Sequence, residues 1–146
     1  MSTALKALRT VVFRRQHREI LDVVRQLETK LVVATIEQDT SDAIRGHLNE
    51  LAGKLTVHLA MEDKALYPRL LVHGSPQLRK IAADVVRDMG GIQAVFREYV
   101  IRWSVPQRIQ ANAAEFIRET NEILEALKRR ITREDTELYP MIDRES

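Results

Sequence analysis

The stretch His58-Leu-Ala-Met-Glu62-Asp63-Lys-Ala-Leu66-Tyr67-Pro68 has a second version seventy-two residues later, Arg130-Ile-Thr-Arg-Glu134-Asp135-Thr-Glu-Leu138-Tyr139-Pro140, and the two share Glu-Asp-x-x-Leu-Tyr-Pro. At ~100° per residue, a spacing of four puts the His58 imidazole and the Glu62 carboxylate on one face of a helix, one above the other. In the second version an arginine stands where the first has its histidine. The fold turns on whether helices carrying the two stretches face each other.

Outward from the first stretch, Ile44, Leu48, Leu51, Leu55, His58, Glu62 and Leu66 recur at spacings of three and four. They predict a helix over about 41–72, with Glu62 within ~10° of the centre of its apolar face and His58 within ~50°. Pro68 should end or kink it in its last turn. Around the second stretch, Ile109, Ala113, Phe116, Thr120, Ile123, Leu127, Glu134, Leu138 and Met141 predict a helix reaching about Ile142, with Glu134 near the centre of the face and Arg130 ~70° off, at its edge. On straight helices Tyr67 and Tyr139 point more than ~110° from the inward direction, which assigns them to packing at the ends.

Upstream, Thr10, Phe13, His17, Ile20, Val24, Leu27 and Leu31 predict a helix over about 3–36, followed by a polar link in which Asp39, Thr40 or Ser41 caps the next helix. Between the two stretches, Ser75 as N-cap and Pro76 at the first helical position open a helix reaching about Trp103, with Leu78, Ile81, Val85, Met89, Ile92, Phe96 and Tyr99 inward. Gly90-Gly91 in its middle marks a bend or a close approach.

Four amphipathic helices with short connections predict an all-α, up-down-up-down four-helix bundle, one domain over residues 1–146. Counting from the turns puts His17 and His58 at one height and Met89 within a turn of it. Met89 then maps to about Glu122, roughly two turns short of Arg130, so the bundle requires that Ser104 to about Ala111 lie outside a straight fourth helix.

Composition narrows the class further. Abundant helix formers with five Gly and four Pro fit an all-α chain. Cysteine is absent, which excludes thiolate metal sites and cysteine nucleophiles. The 23 Lys and Arg are mixed with 21 Asp and Glu and form no basic stripe, so nucleic acid is not an expected partner. Without an apolar leader or a run of ~18 apolar residues, the chain reads as soluble, cytoplasmic and not membrane-bound.

A single histidine in an apolar stripe is ordinarily a core residue with one hydrogen bond. Two ionised carboxylates in the same core, Glu62 and Glu134, require a cation. That cation is either a metal held with His17 and His58, or the guanidinium of Arg130 in a fork-like pair. Met89 reads first as core filler, with a place in the outer shell of the site as its other role. No catalytic constellation is readable.

These residues together resemble the hemerythrin-like (HHE cation-binding) family over nearly the whole chain: a His midway along helix 1, His-x-x-x-Glu with Leu-Tyr-Pro on helix 2, and Glu with Leu-Tyr-Pro on helix 4. The resemblance implies a four-helix bundle with a carboxylate-bridged non-haem di-iron centre that binds O2 or NO, handles iron or senses. By position it makes His17 and His58 ligands of one iron, and Glu62 and Glu134 the bridging carboxylates. The second iron's histidines are missing, with Asp88-Met89 on helix 3 and Arg130 on helix 4 in their places. The expected cofactor is therefore one iron or another divalent ion rather than a complete di-iron centre, the expected ligand O2 or NO. The alternative is a metal-free helical module serving a partner protein or a homodimer.

Overall fold

The structure, a computed structural model, describes residues 3–32 and 36–146. Among these residues all regular structure is helical: α1 (Thr3–Lys6), α2 (Thr10–Glu28), α3 (Gln38–Met61), α4 (Tyr67–His73), α5 (Pro76–Met89), α6 (Ile92–Arg102), α7 (Pro106–Ala111), α8 (Ala113–Arg133) and α9 (Tyr139–Glu145). Two wide π-helical turns, Glu62–Leu66 and Glu134–Leu138, join α3 to α4 and α8 to α9. No described helix is long and apolar enough to cross a membrane.

Amphipathic stripes decide the packing. Helix α2 packs on α3 and α8, α3 also on α6 and α7, and α8 also on α5 and α6, while α1 lies against α4 and α9. The buried side chains form two clusters. One holds Ile20, Leu27, Leu48, Leu59, Phe96, Phe116 and Ile131 among others. The other holds Leu5, Phe13, Leu66, Leu70, Val85, Leu138 and Ile142. Segments cross from one cluster to the other at His17, between Phe13 and Ile20, at His58 and Glu62, between Leu55 and Leu66, and at Arg130 and Glu134, between Leu127 and Leu138. His17, His58, Glu62, Arg130 and Glu134 thus form a buried polar layer with an apolar cluster on each side.

The first helix departs from the sequence expectation of 3–36. It is interrupted at Arg9, whose backbone is left-handed at φ 51°, a conformation costly for a residue with a Cβ. Neither Gly nor Pro marks the spot. The break lets α1 fold over the end of the helices and bury Leu5 and Leu8, and that burial overrides helix propensity. Helix α2 ends at Glu28, and Thr29 turns its hydroxyl onto the Gln26 carbonyl. Residues 33–35 lie outside the described ones.

Helix α3 begins earlier than expected. Glu37 is its N-cap residue, and Ser41 donates its backbone N–H to the Glu37 carbonyl, so Thr40 and Ser41 lie inside the helix. The Asp39 side chain lies outside the described residues. Ser75 caps α5 as expected, accepting the Leu78 N–H at 3.1 Å. The third helix is divided at Gly90-Gly91 into α5 and α6. Residues 104–111 lie outside a straight fourth helix as expected: α7 is separate, Asn112 leaves helical geometry, and α8 starts at Ala113.

Candidate metal centre

Both π-helical turns end one residue before the turn's tyrosine-proline pair, and in each the tyrosine N–H reaches back five residues to the glutamate carbonyl. The proline that follows has no N–H to give to the carbonyl four residues back, and its ring would crowd that carbonyl in a tight turn. Widening the turn by one residue rotates everything beyond it by ~100° relative to a straight α-helix. Tyr67 and Tyr139, which the straight helices direct outward, are thereby turned inward. The expectation that they pack at the ends is corrected: Tyr67 donates its hydroxyl to Glu134 Oε2 at 2.5 Å and Tyr139 donates to Glu62 Oε2 at 2.8 Å. Each version of the motif thus caps the carboxylate of the other. The same rotation buries Ile142 in place of Met141.

His17, His58, Glu62 and Glu134 are all buried, and one donor atom from each lies within 4.8 Å of the others. Arg130, at the edge of its stripe by the helical wheel, is only 1 % exposed. Its Nη2 donates to Glu62 Oε1 at 3.2 Å and to Asp63 Oδ1 at 3.0 Å, and its Nε to Glu134 Oε2 at 3.3 Å. Its Nη1 donates to the Met89 carbonyl at 3.2 Å, and the guanidinium lies over the Tyr67 ring. Met89 therefore faces the centre through its backbone, and its thioether packs against the neighbouring apolar cluster.

The imidazoles are held from behind. His17 Nδ1 is 2.7 Å from Asp135 Oδ1, and His58 Nδ1 is 2.7 Å from Gln16 Oε1. Both partners are acceptors, so each Nδ1 carries a hydrogen and each Nε2 can present its lone pair to the centre. There His17 Nε2 lies 3.2 Å from Glu134 Oε1, and His58 Nε2 lies 3.1 Å from Glu62 Oε1. His58 Nε2 and Glu134 Oε1 are buried without a hydrogen-bond partner. Acceptors facing acceptors at such distances call for a proton or a metal ion between them. Four donors set tetrahedrally around one ion at ~2.0–2.2 Å stand about 3.3–3.6 Å apart, and with the donor atoms here within 4.8 Å of one another the residues present fit a metal after a small contraction. Acceptors behind the imidazoles are the usual outer support of metal-binding histidines.

Without a metal, protons take up part of the charge. Burial alone would depress His17, but the Asp135 and Glu134 carboxylates beside its two ring nitrogens and the charge of Glu62 favour the protonated ring and raise it to about 9. Burial and then the charge on His17 drive His58 down to about 3. Burial and then the Glu62 charge lift Glu134 to about 7. Burial also opposes the charge on Arg130, and Glu62 and Glu134 outweigh it, keeping the guanidinium protonated.

Sequence reasoning pointed to the four donors and Arg130, and missed Gln16, Asp63, Asp135 and both tyrosines in these contacts. For four of the five the signal was present, because Glu-Asp-x-x-Leu-Tyr-Pro repeats the aspartate and the tyrosine along with the glutamate. Gln16 had none.

Comparison with curated proteins and with solved structures gave no match. The family model described as the hemerythrin HHE cation binding domain matches residues 9–142. All four clustered donors fall inside that span, and the chain belongs to the hemerythrin HHE cation-binding family.

Proposed function

We propose that this chain is a single up-down four-helix bundle that holds one divalent ion, iron or zinc, on His17, His58, Glu62 and Glu134, and that it acts as a binding or sensing domain for metal or for a small ligand such as O2 or NO. The observation that carries the reading is the pair of orphaned buried atoms, His58 Nε2 and Glu134 Oε1, each facing the centre of the donor group. Arg130 fills the place of a second ion. A fixed guanidinium against Glu62, Asp63 and Glu134 supplies positive charge there and repels another cation. Bound iron would contribute Lewis acidity and one-electron chemistry, the properties with which O2 or NO is held. The chain's own part is to fix both imidazoles from Asp135 and Gln16, to hold each carboxylate by a tyrosine hydroxyl, and to bury the four donors between two apolar clusters.

A second reading has its own support. Arg130 and a His17 held protonated to about 9 neutralise the buried carboxylates without any metal. The protein is then a metal-free helical module for a partner or a second copy.

Elemental analysis of protein purified without tag or chelator separates the two. The metal reading expects about one ion per chain, lost in His58→Ala, and a metal-dependent rise in melting temperature, lost in Glu62→Ala. Sub-stoichiometric metal unaffected by His58→Ala would leave the metal-free reading standing.

A further inference from the structure

A furrow of about 540 Å3 runs between α6 and α8, with none of the four clustered donors in its walls, within the ~300–1,000 Å3 of ordinary ligand pockets. Its walls are Met89, Ile92, Val95, Tyr99, Ile123 and Ala126. It exists because small residues line it: Ala126 offers only a methyl group, and a Cβ built on Gly91 would meet nothing within 4 Å. The Tyr99 hydroxyl is already bonded to Thr120 Oγ1 at 2.6 Å, so the furrow sees the ring. From Glu119 to Arg129 the α8 wall is ten residues, ~15 Å long.

Each acid on the rim already has a basic partner. Glu119 is paired with Arg102, Glu122 at 2.8 Å with an Arg118 that it shares with Glu115, and Asp88 with Arg87 at 2.9 Å and Arg133 at 3.6 Å. Among the described residues the Arg129 side chain has no ion pair or hydrogen bond. A long apolar trough with paired acids and one unpaired guanidinium at its end matches a linear apolar chain with a single anionic head. We propose that the α6–α8 furrow is a binding site for a free medium-chain carboxylic acid, its hydrocarbon chain along Ile92, Val95, Tyr99, Ile123 and Ala126 and its carboxylate against Arg129. The assignment stands apart from the metal reading, because none of the donor residues lines the furrow.

The test is isothermal titration of the purified full chain with dodecanoate below its micelle concentration, alongside dodecanol, which has the same chain without the charge. One saturable site is expected. Ala126→Leu, which fills the trough, should weaken it by at least about tenfold, and Arg129→Glu should weaken dodecanoate by about tenfold while leaving dodecanol unchanged. If Ala126→Leu melts early, Val95→Glu takes its place, since Val95 is 56 % exposed and tolerates the change. Titration without saturation, or saturable binding unchanged in every variant, would overturn the assignment. So would binding to anionic phospholipid vesicles with none to the free acid.

Discussion

The two versions of Glu-Asp-x-x-Leu-Tyr-Pro adopt one geometry and divide the work. Each forms a π-helical turn, and each sends its tyrosine hydroxyl to the carboxylate of the other. They differ four residues upstream of the glutamate. His58 approaches its own Glu62 with a bare Nε2, whereas Arg130 brings a permanent charge to Glu134, Glu62 and Asp63. A bare imidazole nitrogen has a lone pair to offer to a metal or a proton, and a guanidinium has none. Backbone geometry is therefore shared between the versions, and a single side chain makes one half exchangeable and the other fixed.

Removing the fixed charge should have the largest effect. Arg130→Ala leaves the buried Glu62 and Glu134 without their guanidinium, and breaking a buried ion pair from one side costs about 3–5 kcal/mol. Urea unfolding in the presence of a chelator measures this, and added divalent metal should restore part of the loss in Arg130→Ala. In the same buffer His58→Ala should cost less, because His58 is held neutral. Equal losses would mean that the halves are not divided as described.

The tyrosines should behave alike where the upstream residues do not. Tyr67→Phe and Tyr139→Phe each strip a hydroxyl donor from a buried carboxylate, at a cost of about 1–3 kcal/mol in chelator. A neutral result for either would show that the crossed pair is not reciprocal in energy.

Proton linkage gives a smaller signal, a few degrees in melting temperature of the metal-free protein. His17 titrates near 6.5 unfolded and about 9 folded, so its contribution is complete below pH 6.5 and is lost as pH rises towards 9. Glu134, raised to about 7, binds its extra proton in the folded state, and His58, lowered to about 3, does so in the unfolded state, so the two offset each other between about pH 4.5 and 6.5. Between pH 7 and 9 the slope belongs to His17: stability falls with rising pH, and His17→Gln flattens it. Metal binding requires the unprotonated imidazole, so metal affinity should rise over the same range.

Much of the fold was legible because burial writes a 3.6-residue period into α2, α3, α5 and α8. The separate α7 was legible from length alone, since Met89 and Arg130 could not otherwise meet. The break at Arg9 was not, because nothing local asks for it and its cause is the burial of Leu5 and Leu8 on α4 and α9. At the site, Glu62, Glu134 and the histidines stood out as polar positions on apolar faces. Tyr67 and Tyr139 did not, because a wheel with one fixed period cannot represent a turn that widens by a residue. Gln16 could be found only once α2 was known to lie against α3.

The two aspartates give the finest test of the division. Asp63 and Asp135 follow their glutamates in the same turn, with side chains 33 % and 34 % exposed, so exposure alone predicts equal and small effects, under about 1 kcal/mol of stability for each Asp→Asn. Their partners differ. Asp63 adds one more acceptor to an arginine that is already held by Glu62, Glu134 and the Met89 carbonyl. Asp135 is the negative charge behind His17, and it both sets the ring's orientation and raises the basicity of the nitrogen facing the centre. Asp135→Asn should therefore lower affinity for added Zn2+ or Fe2+ by about tenfold or more, whereas Asp63→Asn should leave it within about twofold. Competition against a chromophoric chelator reads both variants side by side, and an equal loss in the two would place the metal between the halves and not on the histidine side.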